Sequence, residues 1–236
     1  MAYRARFFVP GLSVHVMRRG VNRQAIYHDD RDRIVFLRVL RRAAHQHGLL
    51  IHSFVLMTNH YHALATPANA SALPLTMKMV GEQYVRYFNY KYDRIGTLWT
   101  GRYQALPIES SLYWLNCLRY IAQNPVRAKM AESPDGYRWS SYRRHAYGDS
   151  WDWLTDHEGL RALGATPVER RRAYQSLCGT PMSDQELAQQ RYLGPELESR
   201  IISARRESYA ADSVSDSVSD SVSDLVSDSG SDLVSD

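Results

Sequence analysis

The sequence predicts an α+β fold in which a mostly antiparallel sheet carries helices on one face. Short apolar runs of strand length alternate with longer segments whose apolar residues recur at helical spacing. Their order along the chain is β-α-β-β-α-β-α, which indicates a ferredoxin-like layout. With 236 residues, 44% of them hydrophobic, the chain can bury the core of one or two domains.

The first strand and the first helix follow from alternation and capping signals. Residues 12–20 begin as an alternating strand and end in a basic turn. Asp29 or Asp30 can cap the helix that follows. Its apolar residues keep a helical spacing until Gly48, which we expect to end it.

A hairpin and three further elements complete the predicted domain. Residues 49–57 and 61–66 are apolar and of strand length, and Thr58-Asn59 between them is typical of a tight turn. The remaining predictions are a helix from about Leu75 that ends before Gly96, a short strand within 102–110, a helix capped by Ser110 or Ser111, and a break or kink at Pro125.

The chain divides into three parts by composition. Residues 1–150 hold the sheet, and residues 151–207 predict a small accessory helical region. Residues 208–236 contain a near-tetrapeptide repeat of Ser, Asp and Val with few large apolar residues. Such a segment cannot bury enough surface to offset its ordering entropy, so we expect it to be disordered, and we assign it no chemistry.

The charge distribution favours a polyanionic partner. The net charge is +4, but residues 212–236 contain seven aspartates and no Lys or Arg, so residues 1–211 carry +11. A body this basic favours nucleic acid. No apolar run is long enough for a membrane span, and no signal peptide is evident. Cys117 and Cys178 are far apart, which indicates free thiols and a cytoplasmic location.

Two histidines, separated by a single residue, belong to the second strand of the hairpin. His60 and His62 are two positions apart, so on a strand they project from the same face and can share one cation. Tyr61 between them points into the opposite packing layer. A pair of this kind is more often structural than metal-binding, so it needs a partner elsewhere in the chain.

The third predicted helix offers such a partner. Tyr120 and Asn124 are four residues apart and share a helical face, and Gln123 is the alternative amide at a spacing of three. A helical tyrosine is usually a core residue. A tyrosine followed by a neutral amide, in a chain that also has a two-histidine strand, is a less common combination.

These two segments carry a specific resemblance. "NHYHALATP" resembles the HUH signature of two histidines flanking a bulky residue, although Tyr61 carries a hydroxyl there. "RYIAQNPVRAKM" closely resembles the RYI-x-x-NPVRA signature of the REP-associated tyrosine transposases, bacterial relatives of the single-tyrosine transposases. "HVMRRGVNRQAIYHDD", "GRYQALPIES" and "YRWSSYRRHAYG" are similar to the family's flanking blocks, so the resemblance covers residues 10–148.

The resemblance implies a catalytic domain over residues 1–150 that nicks and rejoins single-stranded DNA. Tyr120 would attack phosphorus and leave a 5′-phosphotyrosine and a free 3′-hydroxyl. Because tyrosine has a pKa near 10 in water, it needs assistance. Mg²⁺ or Mn²⁺, held by His60, His62 and the amide of Asn124 or Gln123, would supply it, and the family signature favours Asn124.

The implied substrate is a short extragenic palindrome folded as a hairpin, bound by a monomer or a homodimer near the bacterial nucleoid. Cationic grooves and aromatic platforms hold single strands. The accessory region is expected to add DNA contacts. The candidate DNA-binding residues are Arg18, Arg19 and Arg23 after the first strand, Arg102 before the fourth strand, Arg127 after the tyrosine helix, and Arg143 and Arg144.

Three alternatives stay open on the sequence. A hairpin-binding protein without catalysis has the same basic surface. A relaxase or rolling-circle initiator shares the histidine motif, but such enzymes often carry more tyrosines or a helicase part, and no G-x-x-x-x-G-K-[ST] motif occurs here. A zinc hydrolase is disfavoured because no third His, Cys or carboxylate stands at a ligand spacing.

Overall fold

The computed structural model describes residues 8–189, which form four strands and seven α-helices. The strands are β1 (Val14–Arg19), β2 (Leu49–Leu56), β3 (His60–Pro67) and β4 (Gln104–Pro107). The helices are α1 (Asp30–His47), α2 (Ala72–Lys91), α3 (Ser111–Arg127), α4 (Tyr142–Tyr147), α5 (Glu158–Arg161), α6 (Pro167–Gly179) and α7 (Asp184–Gln189). Short 3₁₀ turns lie at Val21–Arg23 and Pro134–Gly136.

The sheet is antiparallel throughout and has the order β2-β3-β1-β4. Together with the element order β-α-β-β-α-β-α, this arrangement is the predicted ferredoxin-like layout, so the fold class is confirmed. The predicted hairpin is formed by β2 and β3. Its turn is closed by a backbone hydrogen bond from Met57 N–H to the His60 carbonyl of 2.9 Å.

Capping signals place both ends of α1 and the start of α3 where the sequence predicts them, whereas α2 begins at Ala72, three residues before the predicted Leu75. Asp29 accepts a hydrogen bond from Asp32 N–H at the start of α1, and Gly48 ends that helix with φ of 74°, a conformation that glycine adopts without strain. Ser110 caps α3. The predicted break at Pro125 is wrong in position, because α3 continues through this residue to Arg127 before it ends.

Helices α1 and α2 pack on one face of the sheet. Tyr61 of β3 is fully buried there, with its ring centroid 4.8 Å from that of Phe36 on α1 and its hydroxyl 3.4 Å from the sulfur of Met77 on α2. Tyr84 of α2 lies 5.2 Å from the same Phe36 ring. This aromatic cluster forms the centre of the core.

Helix α3 covers the opposite face, so the helices lie on both faces rather than on one. Neighbouring residues of a strand point in opposite directions. Next to Tyr61, His62 therefore points away from α1 and α2, with its ring 5.4 Å from Tyr120 of α3. His52 of β2 contacts Trp114 of α3 in the same way. Sequence order does not specify the face on which a helix after the last strand will pack.

The C-terminal helices contact α3 on its side away from the sheet. Arg119 of α3 forms a two-pronged ion pair with Glu186 of α7, with both N–O distances 3.1 Å. This part of the accessory region, residues 151–189, is helical as predicted. The rest of that region and the predicted disordered tail lie outside the described residues. No helix between residues 8 and 189 is both long enough and apolar enough to cross a membrane.

Candidate active site

The two histidines of β3 and the tyrosine of α3 lie together on the face of the sheet that α3 covers. His60 and His62 project together because they are two residues apart on one strand. Their ring centroids lie 5.1 Å apart and nearly perpendicular. The half-buried ring of Tyr120 stands edge-on to His62 at 5.4 Å. Residues separated by about 60 positions in the sequence thus form one cluster.

A third histidine lies directly behind this pair. His15 of β1 is buried, and its Nε2 is 2.9 Å from Nδ1 of His62. Its ring is also 5.8 Å from that of Tyr120. The pairing of β1 with β3 brings the two strands together antiparallel, with His62 opposite Met17 and His15 opposite Leu64. His15 therefore hydrogen bonds to one ring nitrogen of His62, Nδ1, and so fixes the orientation of the ring and of its other nitrogen, Nε2.

His60 is oriented by two asparagines. Nδ1 of His60 lies 2.7 Å from Oδ1 of Asn59, and Asn59 in turn donates its amide to the carbonyl of Arg23 at 3.0 Å. The side chain of Asn124 also hydrogen bonds to His60. Because Asn59 Oδ1 can only accept, the proton of His60 lies on Nδ1, which leaves Nε2 as a lone-pair donor.

Burial keeps the histidines neutral. The pKa of His60 is lowered to about 4, chiefly by burial and then by the charge of Arg19, while its hydrogen bond with Asn124 opposes this change. Burial likewise holds the pKa of His62 well below its usual value, and that of His15 at about 4. Neutral imidazoles are the form that binds a metal ion.

The donor set is compatible with a divalent cation bound by two imidazoles and one amide. Each ring has one nitrogen engaged by an outer partner, which is the arrangement that metal-binding histidines have in proteins. No cluster of three or more His, Cys, Asp or Glu side chains suited to a metal occurs within residues 8–189. The amide nearest this histidine pair is that of Asn124, which hydrogen bonds to His60.

The two candidate amides face different directions from α3. Tyr120, Asn124 and Arg127 follow a spacing of four and three, so they share one face of the helix. Gln123 lies on the other face, where its amide donates to the carbonyls of Cys178 at 2.8 Å and Thr180 at 2.6 Å. The side chain of Gln123 thus anchors α6 to α3, and Asn124 faces the histidines.

Two of the predicted arginines lie beside the cluster. The guanidinium of Arg127 lies over the ring of Tyr120 at 5.0 Å. Arg19 is the cross-strand neighbour of His60, and its Nε is buried without a hydrogen-bond partner in the described part of the chain. Its positive charge is one cause of the lowered pKa values of His60 and His62. Two positive charges thus border the histidine pair, Arg19 beside His60 and Arg127 over the Tyr120 ring.

The other predicted arginines are in different surroundings. Arg18 and Arg19 are the last residues of β1, not part of a loop, and Arg18 stacks over Trp99 on the opposite face at 4.8 Å. The exposed side chains of Arg23 and Arg102 lie in the 3₁₀ turn after β1 and in the loop before β4. Arg143 and Arg144 of α4 form ion pairs of 2.7 Å and 3.0 Å that hold them to carboxylates of the same chain, Asp149 and Asp156.

His15 and Asn59 are the site residues that the sequence interpretation missed. His15 stands in an alternating strand, and its parity relative to His62 depends on the register of β1 against β3, which no local signal gives. The sequence pattern predicts only a turn residue at Asn59. Its position directly before the first histidine is the signal that could have identified it.

Comparison with known proteins identifies a family for the part of the chain that carries this cluster. Residues 8–124 match the family described as "Transposase IS200 like". The matched segment includes β1 to β4 and ends at Asn124, so it contains His15, His60, His62 and Tyr120. No curated protein matches the sequence.

Three solved structures are similar at low identity. A REP-associated tyrosine transposase bound to a REP hairpin is 15% identical, with 67% of this chain and 96% of that chain covered and a TM-score of 0.44. A protein described as a "putative transposase" from Deinococcus radiodurans R1 is 20% identical, with 47% and 89% covered and a TM-score of 0.36. The tRNA(His) guanylyltransferase of Saccharomyces cerevisiae is 11% identical, with 77% and 84% covered and a TM-score of 0.39.

Proposed function

Because the chain belongs to the IS200-like transposase family through residues 8–124, we propose that it is a metal-dependent nicking and rejoining enzyme for single-stranded hairpin DNA, with Tyr120 as its nucleophile. The observation that carries this proposal is the convergence of Tyr120, His60, His62 and Asn124 in one cluster beside two cations. A protein that only bound hairpins would not require this set of side chains.

The proposed reaction is a transesterification at one phosphodiester. The hydroxyl oxygen of Tyr120 attacks phosphorus, the P–O3′ bond breaks, and the 5′ phosphate is left on the tyrosine. The hydroxyl loses a proton and the departing 3′ oxygen gains one, so charge and protons balance. Since one ester replaces another, rejoining is the reverse attack by a 3′-hydroxyl and needs no ATP.

The protein residues have separate roles in this scheme. Arg127, which lies over the Tyr120 ring, attracts the phosphate. Arg19 faces the same cluster and adds a second positive charge. His15 and Asn59 fix the orientation of His62 and His60. The two arginines would bind the phosphate, and the two oriented histidines would face it, before any bond breaks.

His60, His62 and Asn124 would hold the divalent cation, Mg²⁺ or Mn²⁺. When bound, the ion supplies Lewis-acid stabilisation to the scissile phosphate. Because all three ligands are neutral, they leave the positive charge of the ion largely uncompensated. The side chain of Gln123, with both amide hydrogens donated to backbone carbonyls, is engaged elsewhere.

The proposed substrate is a REP-like hairpin with a single-stranded flank. The sequence signature around Tyr120 and Asn124 resembles that of the REP-associated group, and the body of the protein carries +11. A single nucleophilic tyrosine must act twice in turn, or two protomers must cooperate, so either a monomer or a homodimer satisfies the chemistry.

The test is a labelled single-stranded hairpin oligonucleotide incubated with the protein and Mg²⁺, followed by a denaturing gel. We expect a covalent protein–DNA band, no such band in EDTA, and none with a duplex of equal length. Hairpin binding without any covalent product over a range of hairpin sequences would favour the non-catalytic binding protein instead.

A further inference from the structure

A basic groove lies between the last turns of α1, the start of β2 and the segment that contains Trp153. Its volume is about 990 Å³, and its lining includes Arg38, Arg41, Arg42 and His45 from one side of α1. These residues are spaced by three, one and three positions, so they form one stripe along the helix. The groove is separate from the cluster around Tyr120, and none of the seven arginines predicted to bind DNA lines it.

The groove is remote from Tyr120 by strand geometry. Leu50 in its lining pairs with Thr66 of β3, and His60 lies six residues earlier on the same strand. At about 3.3 Å per residue, about 20 Å of sheet separates the groove from His60. Helix α1 also lies on the sheet face opposite to Tyr120, so a ligand of the groove does not enter the tyrosine cluster.

The charge of the groove is positive and accessible. Three arginines face one carboxylate, Asp152, among the lining residues. Arg38 and Arg41 are exposed, and the ion pair of Arg41 with Asp152 joins two exposed side chains at 3.2 Å. An exposed pair of this kind contributes little to stability, so a phosphate can replace the carboxylate at small cost.

An aromatic ring completes the groove. Trp153 is half-buried and lines it, with its ring held at 5.8 Å in a stacked arrangement with Phe54. Leu50 beside it is 42% exposed. Arginines next to a fixed aromatic ring and an exposed apolar side chain form the combination that holds single-stranded nucleic acid, through phosphates and stacked bases respectively.

We propose that this groove is a second binding surface for single-stranded DNA, with phosphates on Arg38 and Arg42 and a base on Trp153. It rests on the proposed function only in taking single-stranded DNA as the partner. Its role would be to hold a strand at a distance from the scissile phosphate, which lengthens the DNA footprint beyond the Tyr120 cluster. A duplex, whose bases are stacked inside, has no base to offer Trp153.

The experiment measures the affinity of the full chain for fluorescein-labelled dT20 as a function of salt. Arg38→Glu should weaken binding by about tenfold and lower the salt slope by about 1 to 2, as expected for lost phosphate contacts. Arg31→Glu is the matched control, because Arg31 is exposed on the same helix outside the groove and the charge change is identical. Its effect should be below about threefold.

A second measurement locates the strand. Ultraviolet cross-linking of a bromodeoxyuridine-substituted dT20 should attach DNA to the peptide that contains Trp153, and Trp153→Leu should remove that product. Equal effects of Arg38→Glu and Arg31→Glu, or tighter binding by Arg38→Glu, would overturn the proposal; tighter binding would assign the groove to an anionic segment such as residues 212–236. Covalent product formation on a minimal hairpin is read separately, so failure here leaves the Tyr120 chemistry untouched.

Discussion

Two histidine clusters lie on the same face of the sheet under α3, and they differ in how their hydrogen bonds are satisfied. The first is the tyrosine site, which consists of His15, His60, His62, Tyr120 and Asn124. The second is the serine–histidine network, which consists of Ser13, His52, Thr66 and His157. The strand residues of both clusters point away from α1 and α2, while Tyr120 and Asn124 come from α3 and His157 caps α5.

Every proton in the serine–histidine network has a fixed direction. Nδ1 of His157 accepts from Gly159 N–H, so its Nε2–H donates to Ser13 at 3.2 Å. Ser13 then donates to Thr66 at 2.7 Å, and Thr66 donates to Nε2 of His52 at 2.8 Å. The chain ends where Nδ1–H of His52 donates to the carbonyl of Thr155 at 2.8 Å.

The tyrosine site is incompletely satisfied by comparison. Nδ1 of His15 is buried without a hydrogen-bond partner among residues 8–189. The hydrogen bonds to Asn59 and His15 engage Nδ1 of His60 and of His62, and the further partner of His60 is Asn124, a proposed ligand of the same ion. A histidine cluster with all its bonds made within the protein stabilises the fold, whereas one with spare lone pairs is suited to a ligand.

The largest expected effect is a loss of DNA cleavage when a histidine of the tyrosine site is removed, but not when one of the serine–histidine network is removed. His60→Ala and His62→Ala should each bring cleavage of a hairpin below detection and leave hairpin affinity within about threefold, since arginines do most of the binding. Gel cleavage and fluorescence anisotropy measure the two quantities. His52→Ala is the control: it should lower the free energy of unfolding by about 1–3 kcal/mol but keep the cleavage activity of the folded protein. Full activity of either site variant, or full activity in EDTA, would remove the metal role.

The two amides of α3 give the next prediction. Asn124→Ala should raise the Mg²⁺ concentration needed for half-maximal cleavage by about 10-fold to 100-fold, with partial rescue by Mn²⁺. Gln123→Ala should leave that requirement unchanged and reduce stability by about 1–3 kcal/mol, because the carbonyls of Cys178 and Thr180 lose their donor. Cleavage rates over a metal titration, paired with thermal unfolding, distinguish them. A larger metal shift for Gln123→Ala would show that the ligand assignment is wrong.

His15 provides a smaller effect that acts through His62. For His62 to offer Nε2 to a ligand, its Nδ1–H must donate to Nε2 of His15. His15→Leu removes this acceptor and should weaken Mn²⁺ binding by about tenfold or more. His15→Gln, which keeps an amide near the Nε2 position, should recover part of the loss. Calorimetric Mn²⁺ binding in the absence of DNA provides the measurement, and equal affinities for the His15→Leu and His15→Gln variants would contradict the orienting role.

The pH dependence of stability is the mildest test. Burial lowers the pKa of both His52 and His145 to about 4, from 6.5 in the unfolded chain. The unfolded state therefore binds more protons between pH 6.5 and 4, so stability should be complete above about pH 6.5 and fall as the pH drops through this window. Chemical unfolding in EDTA at a series of pH values should show this decline, and a flat profile would contradict the neutral, buried state of these histidines.

Much of the fold followed from local sequence signals. The alternation in β1 and β3, the cap at Ser110 and the stop at Gly48 are short-range features, and the structure has them where they were predicted. The relation of His60 to His62 is equally local, because strand geometry alone puts them on one face. The element order then sufficed for the ferredoxin-like arrangement.

The rest depended on tertiary contacts that spacing does not encode. Asn124 and Gln123 both lie within about one helical turn of Tyr120. Only the structure shows that the amide of Gln123 is hydrogen bonded to the carbonyls of Cys178 and Thr180. The role of His15 required the register of two strands. The ion pairs of Arg143 and Arg144 with carboxylates six and twelve residues further along the chain are likewise contacts that spacing alone does not give.

The most direct test of the central claim is to identify the residue that carries the DNA. The covalent product formed with a hairpin oligonucleotide is digested with nuclease and trypsin, and the peptide with the nucleotide remnant is sequenced by mass spectrometry. We predict the remnant on Tyr120, and no covalent product from Tyr120→Phe, which keeps the ring and removes the oxygen. A remnant on another tyrosine such as Tyr113, or an adduct that persists in Tyr120→Phe, would contradict this assignment.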